Sequence, residues 1–295
     1  MRLTNILTID LEDWFQVSNL DGYVSRDAWP HCEFRLRHSA NRLLEMLDAA
    51  GAHATFFVLG WNAEKCPALV HEIAEAGHEI ASHGYEHRLV YDMNPGKFRE
   101  DLRRSVDAIE DAAGVVVRGH RAASFSLTEN CLWALEVMAG EGIAYDSSMF
   151  PIRHDRYGVS RRWMEGRDIV TDAGSIVEVP ITVCPVMGVN LPFAGGGYFR
   201  MLPYSVVKRL TRFVNGAGRR VVFYFHPWEI DCGIPRYRLG FSKSVRSYCN
   251  IASNGRKLGL LLKDFSFMSI SDALRQDDLP VRTLRRGSGE HWVLL

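Results

Sequence analysis

The chain carries no excess of either charge. Its 35 lysines and arginines are matched by 35 aspartates and glutamates, which argues against a general nucleic-acid binder, since those carry a basic surplus. Arg161, Arg162 and Arg167 cluster, as do Arg282, Arg285 and Arg286, and both groups read as solvated faces. None of the 6 cysteines (Cys32, Cys66, Cys131, Cys184, Cys232, Cys249) forms a CxxC pair, so neither a zinc ribbon nor a thioredoxin-type motif is present. Their scattered, partly apolar settings suit buried thiols of a reduced compartment. No apolar run approaches the ~18–20 residues of a membrane span. The first residues reach Asp10 where a signal peptide would still be apolar, and no small-residue cleavage site follows. A cytoplasmic protein is expected, with peripheral membrane contact left open. The glycine-rich stretch from Phe193 to Arg200 matches neither GxGxxG nor a P-loop; its glycines permit a close backbone approach to chain or ligand.

What the chain does have is 295 residues, 47% of them apolar, enough for one large α/β domain or two ordinary ones. Short apolar runs predict strands at 3–9, 54–59, 78–82, 115–117, 142–145, 175–181, 220–225 and 267–270. Between them, helical spacing and Pro or Gly punctuation predict helices at 39–50, 67–77 and 95–114, from Thr128, from Pro203, at 258–265 and from Asp272. The stretches 151–172 and 236–250 show little periodicity. Strands alternating with helices argue for a parallel α/β fold.

Polar clusters follow successive strands: Asp10–Asp13, His83–His87, Arg121, Asp146 and His226. Groups at the ends of five strands converge more readily in a barrel or distorted barrel than at the switch point of an open sheet. His83 and His87, four residues apart on a helix or tight turn, face one way, and both imidazoles can reach one ion. Asp10-Leu11-Glu12-Asp13 crowds three carboxylates into four positions, at the cost of charge repulsion and burial. A metal ligand plus a general base would account for them; a solvated loop or helix cap is the plain alternative.

The ordered set resembles the polysaccharide deacetylases with the NodB homology domain, carbohydrate esterase family four. Thr8-Ile9-Asp10-Leu11-Glu12-Asp13 stands where that family has Thr-Phe-Asp-Asp. Ser82-His83-Gly84-Tyr85-Glu86-His87 matches its second motif. Arg121-Ala122-Ala123-Ser124 resembles Arg-Pro-Pro-Tyr without the prolines, which leaves the Ser124 loop less rigid. Tyr145-Asp146-Ser147-Ser148 and Phe223-Tyr224-Phe225-His226 resemble the fourth and fifth motifs. Asp-Leu-Glu-Asp-Trp-Phe, Gly-Gly-Gly-Tyr-Phe-Arg, His-Pro-Trp-Glu and Arg-Tyr-Arg-Leu-Gly-Phe further resemble a subgroup found beside exopolysaccharide and exosortase (PEP-CTERM) gene clusters.

The resemblance implies a distorted (β/α) barrel of about seven parallel strands. It would form a single catalytic domain over 1–275, with irregular insertions at about 151–172 and 231–250 and a C-terminal tail over 276–295. It implies a metal-dependent hydrolase removing N-acetyl groups from a polysaccharide or lipid-linked glycan. Asp10 would be the base, held ionised by Arg121, and His226 the acid, oriented by Asp146. His83 and His87 would hold a divalent metal, Zn²⁺ foremost, with Co²⁺ or Ni²⁺ as alternatives. Asp13 is the preferred third ligand, because a two-residue insertion restores an aspartate there; strand alternation favours Glu12 instead, which shares a face with Asp10. Amides after Arg121 would share the oxyanion with the metal. Ser124, Trp14, Trp228 and Tyr198 are the expected substrate contacts, although each tryptophan equally suits core packing. His120 would support Arg121 or have no role. Two other functions fit: a cyclic-imide or allantoin-type hydrolase on the same fold, and a degenerate carbohydrate-binding protein. Nucleic acid is not expected as a partner, and oligomeric state stays open, homo-oligomers included.

Overall fold

The computed structural model describes residues 3–165, 167–276, 282–286 and 292–294. Its centre is β1 (Asn5–Leu11), a strand buried along its whole length. Alternate side chains of a strand point to opposite faces. Leu7, Ile9 and Leu11 accordingly join the larger apolar cluster under the helices, while Ile6 joins a second cluster. Thr8, Asp10 and Glu12 fall on the Ile6 face.

Around β1 run β2 (Thr55–Val58), β3 (Glu79–Ser82), β4 (Gly119–His120), β5 (Tyr145–Asp146), β6 (Arg167–Thr171), β7 (Gly174–Glu178) and β10 (Val222–Phe225). The order β10-β1-β2-β3-β4-β5-β7 is parallel at every step. The short β11 (Phe267–Met268) also pairs with β1 in parallel. Helices α1 (Leu36–Ala49), α2 (Gly60–Lys65), α3 (Pro67–Glu75), α4 (Pro95–Ala113) and α5 (Trp133–Gly140) fill the connections between the first five strands. Residues of α1, α3, α4 and α5 cover the Leu7 face of the sheet. Each large aliphatic or aromatic side chain buried there contributes about 1.5–3 kcal/mol relative to exposure.

The ring of strands does not close through backbone pairing between β7 and β10. The seam is spanned by residues 182–195: Val222 N–H donates to Thr182 Oγ1 at 2.9 Å, and Tyr224 N–H donates to the Ala194 carbonyl at 2.9 Å. A separate hairpin, β8 (Val183–Val186) with β9 (Val189–Pro192), projects from this seam. After it come α6 (Gly196–Met201), α7 (Tyr204–Gly216), α8 (Phe241–Tyr248), α9 (Ile251–Asp264) and α10 (Ile270–Arg275).

Several expectations are corrected. Val115–Val117 is not a strand. Gly114 ends α4 in the left-handed conformation, Val116 is exposed, and Val117 N–H is taken by the Glu110 carboxylate at 2.8 Å rather than by a neighbouring strand. The glycine-rich stretch is not a loop throughout, since α6 begins at Gly196. Residues 241–248, expected to be irregular, form α8; Phe241, Val245 and Tyr248 follow helical spacing, but over only about two turns, and the only buried member is Ser247. Within 151–172, Arg167–Thr171 is β6, antiparallel to β7. In the expected tail, β12 (Arg282–Arg286) pairs with β6, and β13 (Trp292–Leu294) with β12; 277–281, 287–291 and 295 lie outside the described residues.

Candidate active site

The inward face of β1 delivers Asp10 and then Glu12. Beyond the end of β3 the chain turns through Gly84 (φ 77°) to His87, itself in the left-handed region (φ 53°). This turn, not a helix, brings His83 and His87 together, with ring centroids 5.5 Å apart. Glu12 Oε1 lies 2.9 Å from His83 Nε2 and 3.1 Å from His87 Nε2. All three residues are buried.

The His83 tautomer follows from its other nitrogen. Nδ1 stands 2.8 Å from the Arg121 carbonyl, which can only accept, so Nδ1 carries hydrogen. In the neutral ring Nε2 then turns a lone pair toward a carboxylate oxygen. Two acceptors 2.9 Å apart need a cation between them, a proton or a metal ion. The donor set of two imidazoles and one carboxylate, with ligand atoms all within 4.8 Å of one another, is that of catalytic divalent-metal centres. Burial alone would raise the Glu12 carboxyl; the imidazoles of His87, His226 and His83 outweigh it and hold it well below the usual range.

Asp13 is not with them. Its carboxylate accepts from Trp14 N–H at 2.8 Å, Arg35 N–H at 2.7 Å and Leu36 N–H at 2.9 Å. It caps the first turn of α1 from across the fold, in the manner of an N-cap side chain. Burial pushes its acid up to about 6 in spite of these three donors. The preference for Asp13 as third ligand is therefore corrected to Glu12, the choice strand alternation favoured.

Arg121 is fully buried. Nη1 donates to Asp10 Oδ1 and to Thr8 Oγ1, each at 2.7 Å. Nε donates to the Ser147 carbonyl and Nη2 to Ser147 Oγ, each at 2.9 Å. The guanidinium also lies over Phe57, 4.1 Å from the ring centroid, within cation–π range. The second Asp10 oxygen is 3.7 Å from His226 Nε2. Burial opposes protonation of His226, but the carboxylates of Glu12, Glu229 and Asp10 outweigh it and carry the imidazole up to about 9.

Asp146 does not orient His226. Its Oδ1 faces His120 Nδ1 at 3.0 Å and accepts from Ser148 Oγ at 2.7 Å. Burial and the Asp146 charge push the adjacent Glu178 well above the usual carboxylate range. The carboxylate beside His226 is Glu229, with Oε2 3.4 Å from Nδ1. The amide of Ala122 is also committed, donating to Ser148 Oγ at 2.7 Å, so that first amide after Arg121 is not an oxyanion donor.

Asp10, Glu12 and His226 open onto a cleft of about 370 Å³. Ser124, Tyr198 and Trp228 line it, as expected for substrate contacts. Ser124 and Phe125 are consecutive non-glycine residues in the left-handed region (φ 50° and 54°), a strain of about 1–3 kcal/mol each. Contacts of Phe125 with Tyr224 (4.9 Å) and Phe150 (5.3 Å) hold the turn, and Ser124 Oγ meets Ser18 Oγ at 2.7 Å. Trp14 lines no part of the cleft. Its indole N–H donates to the Glu33 carbonyl at 2.9 Å and its ring stacks on Tyr237, so it is a packing residue. Sequence reasoning missed Arg156, Tyr157 and Arg246 at the cleft, because they come from the aperiodic stretches. It also missed Arg200 and Glu229, although both lie in the motifs it singled out.

Residues 23–139 match the polysaccharide deacetylase family, and residues 147–275 match a family described as a domain of unknown function, DUF3473. A peptidoglycan-N-acetylglucosamine deacetylase of Bacillus cereus is 34% identical over 96 residues, 32% of this chain and 35% of that protein. A peptidoglycan deacetylase of Helicobacter pylori is 31% identical over 110 residues, 37% of this chain and 36% of that protein. The chain thus spans about a third of the length of these curated relatives. A solved Mycobacterium smegmatis protein, assigned as a polysaccharide deacetylase, superposes with a TM-score of 0.60 at 23% identity, covering 97% of this chain and 95% of that one. That likeness shows a shared fold, the distorted parallel barrel with an open seam described above.

Proposed function

We propose that this chain, whose residues 23–139 match the polysaccharide deacetylase family, is a metal-dependent hydrolase removing acetyl from N-acetylated sugars of a polysaccharide or lipid-linked glycan. The observation that carries the reading is the convergence of Glu12, His83 and His87 beside the Asp10–Arg121 pair, with His226 across from Asp10. Glu12, His83 and His87 would hold a divalent ion, which would supply Lewis-acid polarisation of an amide carbonyl and a lowered pKa for bound water.

The chain's own groups then divide the proton work. Asp10, held by Arg121, takes the proton from the attacking water. His226 Nε2 gives a proton to the departing amine as the carbon–nitrogen bond breaks, yielding acetate and a free amino sugar. Arg121 also sets the His83 ring, through its own carbonyl. Ser124, Tyr198 and Trp228 present hydroxyls and an aromatic face to the sugar. An exopolysaccharide or cell-envelope setting is part of this proposal and rests on the subgroup motifs alone.

Acetate release from N-acetylated oligosaccharides and peptidoglycan fragments tests it, with and without chelator. Release by the metal-loaded chain, and its loss in His83→Ala, is the expected result. Absence of release together with absence of stoichiometric metal, while glycan binding persists, would replace the enzyme with a carbohydrate-binding protein.

A further inference from the structure

Two charged residues remain unused by the chemistry above: Arg200, which ends the glycine-rich stretch, and Glu229, three residues after His226. We propose that Glu229, clamped by Arg200, is the positioning residue for His226, and that the glycines at 195 and 196 are there to let Arg200 reach it. The inference rests on the reading of His226 as the acid.

Both oxygens of Glu229 are assigned. His226 opens the 3₁₀ turn Pro227–Ile230, and its own backbone N–H donates to Glu229 Oε2 at 3.1 Å. The same oxygen is 3.4 Å from His226 Nδ1. Oε1 is ion-paired with Arg200 Nη1, and Arg200 Nη2 donates to the Arg246 carbonyl. The Arg200 guanidinium lies over the Trp228 ring at 5.0 Å, and that ring lies 5.4 Å from His226. Glu229 and Arg200 are 1% and 2% exposed. An unpaired charge so buried is costly, whereas a paired and hydrogen-bonded one is tolerated. The Arg200 charge, against burial, also keeps the Glu229 carboxyl below its ordinary value.

At 3.4 Å the Glu229 carboxylate faces Nδ1 as a charge rather than as a formed hydrogen bond, and a negative charge on that side favours hydrogen on that nitrogen. Nε2 is left facing Asp10 and the cleft, the division of roles that a carboxylate imposes on imidazole in hydrolytic triads. Asp146 cannot do this, being engaged by His120 and Ser148.

The glycines explain how Arg200 arrives. At Gly195 the chain bridges to Tyr224, two residues before His226. A Cβ there would stand 2.0 Å from the Tyr224 carbonyl oxygen, and one at Gly196 would stand 2.6 Å from the Tyr224 hydroxyl. Only without those carbons does α6 start against β10. Phe199 then packs on Phe225 at 4.8 Å, and Arg200, the next residue, meets Glu229.

The test uses the full metal-loaded chain in three forms: wild type, Glu229→Gln and the double variant Arg200→Met/Glu229→Gln, which removes both buried charges together. In both variants kcat on an N-acetylated oligosaccharide should fall about 10- to 100-fold, the usual effect of losing a group that orients a reacting one. KM should stay within about twofold and bound zinc unchanged, and the double variant should melt near wild type. In ¹⁵N spectra of the His226 ring, followed upward through its titration near pH 9 until the ring is neutral, wild type should show the remaining hydrogen fixed on Nδ1, and Glu229→Gln a mixture of tautomers. Unchanged kcat in the double variant, or a raised KM at unchanged kcat, overturns the proposal. Wild type releasing no acetate would instead defeat the deacetylase reading. The clamp is then judged by the ring spectra, and it falls if Glu229→Gln leaves them as in wild type.

Discussion

Glu12 Oε1 stands 2.9 Å from His83 Nε2, while the next carboxylate in the chain, Asp13, turns away to cap α1. One residue of offset separates a group that faces two imidazoles from one that holds a helix end. The two consequences are separable by substitution.

Glu12→Gln should abolish stoichiometric zinc binding, read by calorimetry and elemental analysis, with little change in the metal-free melting temperature. Wild type should gain about 2.7 kcal/mol of stability at free zinc one hundred times Kd, lost on adding chelator. Asp13→Asn should do the reverse. It should bind zinc as wild type does, and lose about 1–3 kcal/mol in urea denaturation, because buried backbone N–H groups lose an acceptor. Zinc binding that survives Glu12→Gln but not Asp13→Asn would refute this assignment.

Arg121 has three side-chain partners and one carbonyl partner, all buried. Its removal leaves the Asp10 charge buried with only His226, 3.7 Å away, as a counter-charge. Arg121→Met should therefore cost about 3–5 kcal/mol, measured by denaturant titration, and the double variant with Asp10→Asn should recover much of that. Additive losses in the double variant would argue against the pair.

His78 makes folding pH-dependent far from the cleft. Burial, with the nearby His53, lowers its imidazole from 6.5 to about 4, and Ala54 N–H donates to its Nδ1 at 3.3 Å, a bond that protonation removes. As pH falls from 6.5 toward 4, the unfolded chain binds a proton here that the folded chain refuses, so stability falls across that window. Below about 4 both states bind it and no further loss accrues. His78→Asn keeps an acceptor for Ala54 and should flatten the slope of unfolding free energy between pH 6.5 and 4, measured by urea denaturation. An unchanged slope would show that other groups set it.

Gly195→Ala should be costly for its position rather than for helix propensity. The added carbon meets the Tyr224 carbonyl at 2.0 Å, and backbone cannot move as a flexible side chain does. A loss of at least about 1–3 kcal/mol is expected, seen as a lowered melting temperature. Gly216→Ala, with nothing within 4 Å of the new carbon, is the control and should leave the melting temperature near wild type.

Legible in the sequence were the alternating strands and helices, the positions of Asp10 near the end of a strand and of His83, His87, Arg121 and His226 beyond strand ends, and the choice between Glu12 and Asp13 as a question. These are local properties. Apolar periodicity reports which face is buried, and a polar residue after an apolar strand stands out without any neighbour being known. Tertiary structure alone decided the partners. Asp13 found the start of α1 twenty-two residues on, Asp146 found His120, and Trp14 found Tyr237. Glu229 took the place beside His226 because α6 brought Arg200 to neutralise it. Hydrogen bonds and ion pairs depend on distance and direction in space, and residues far apart in the chain carry no local sign of which acceptor will meet which donor.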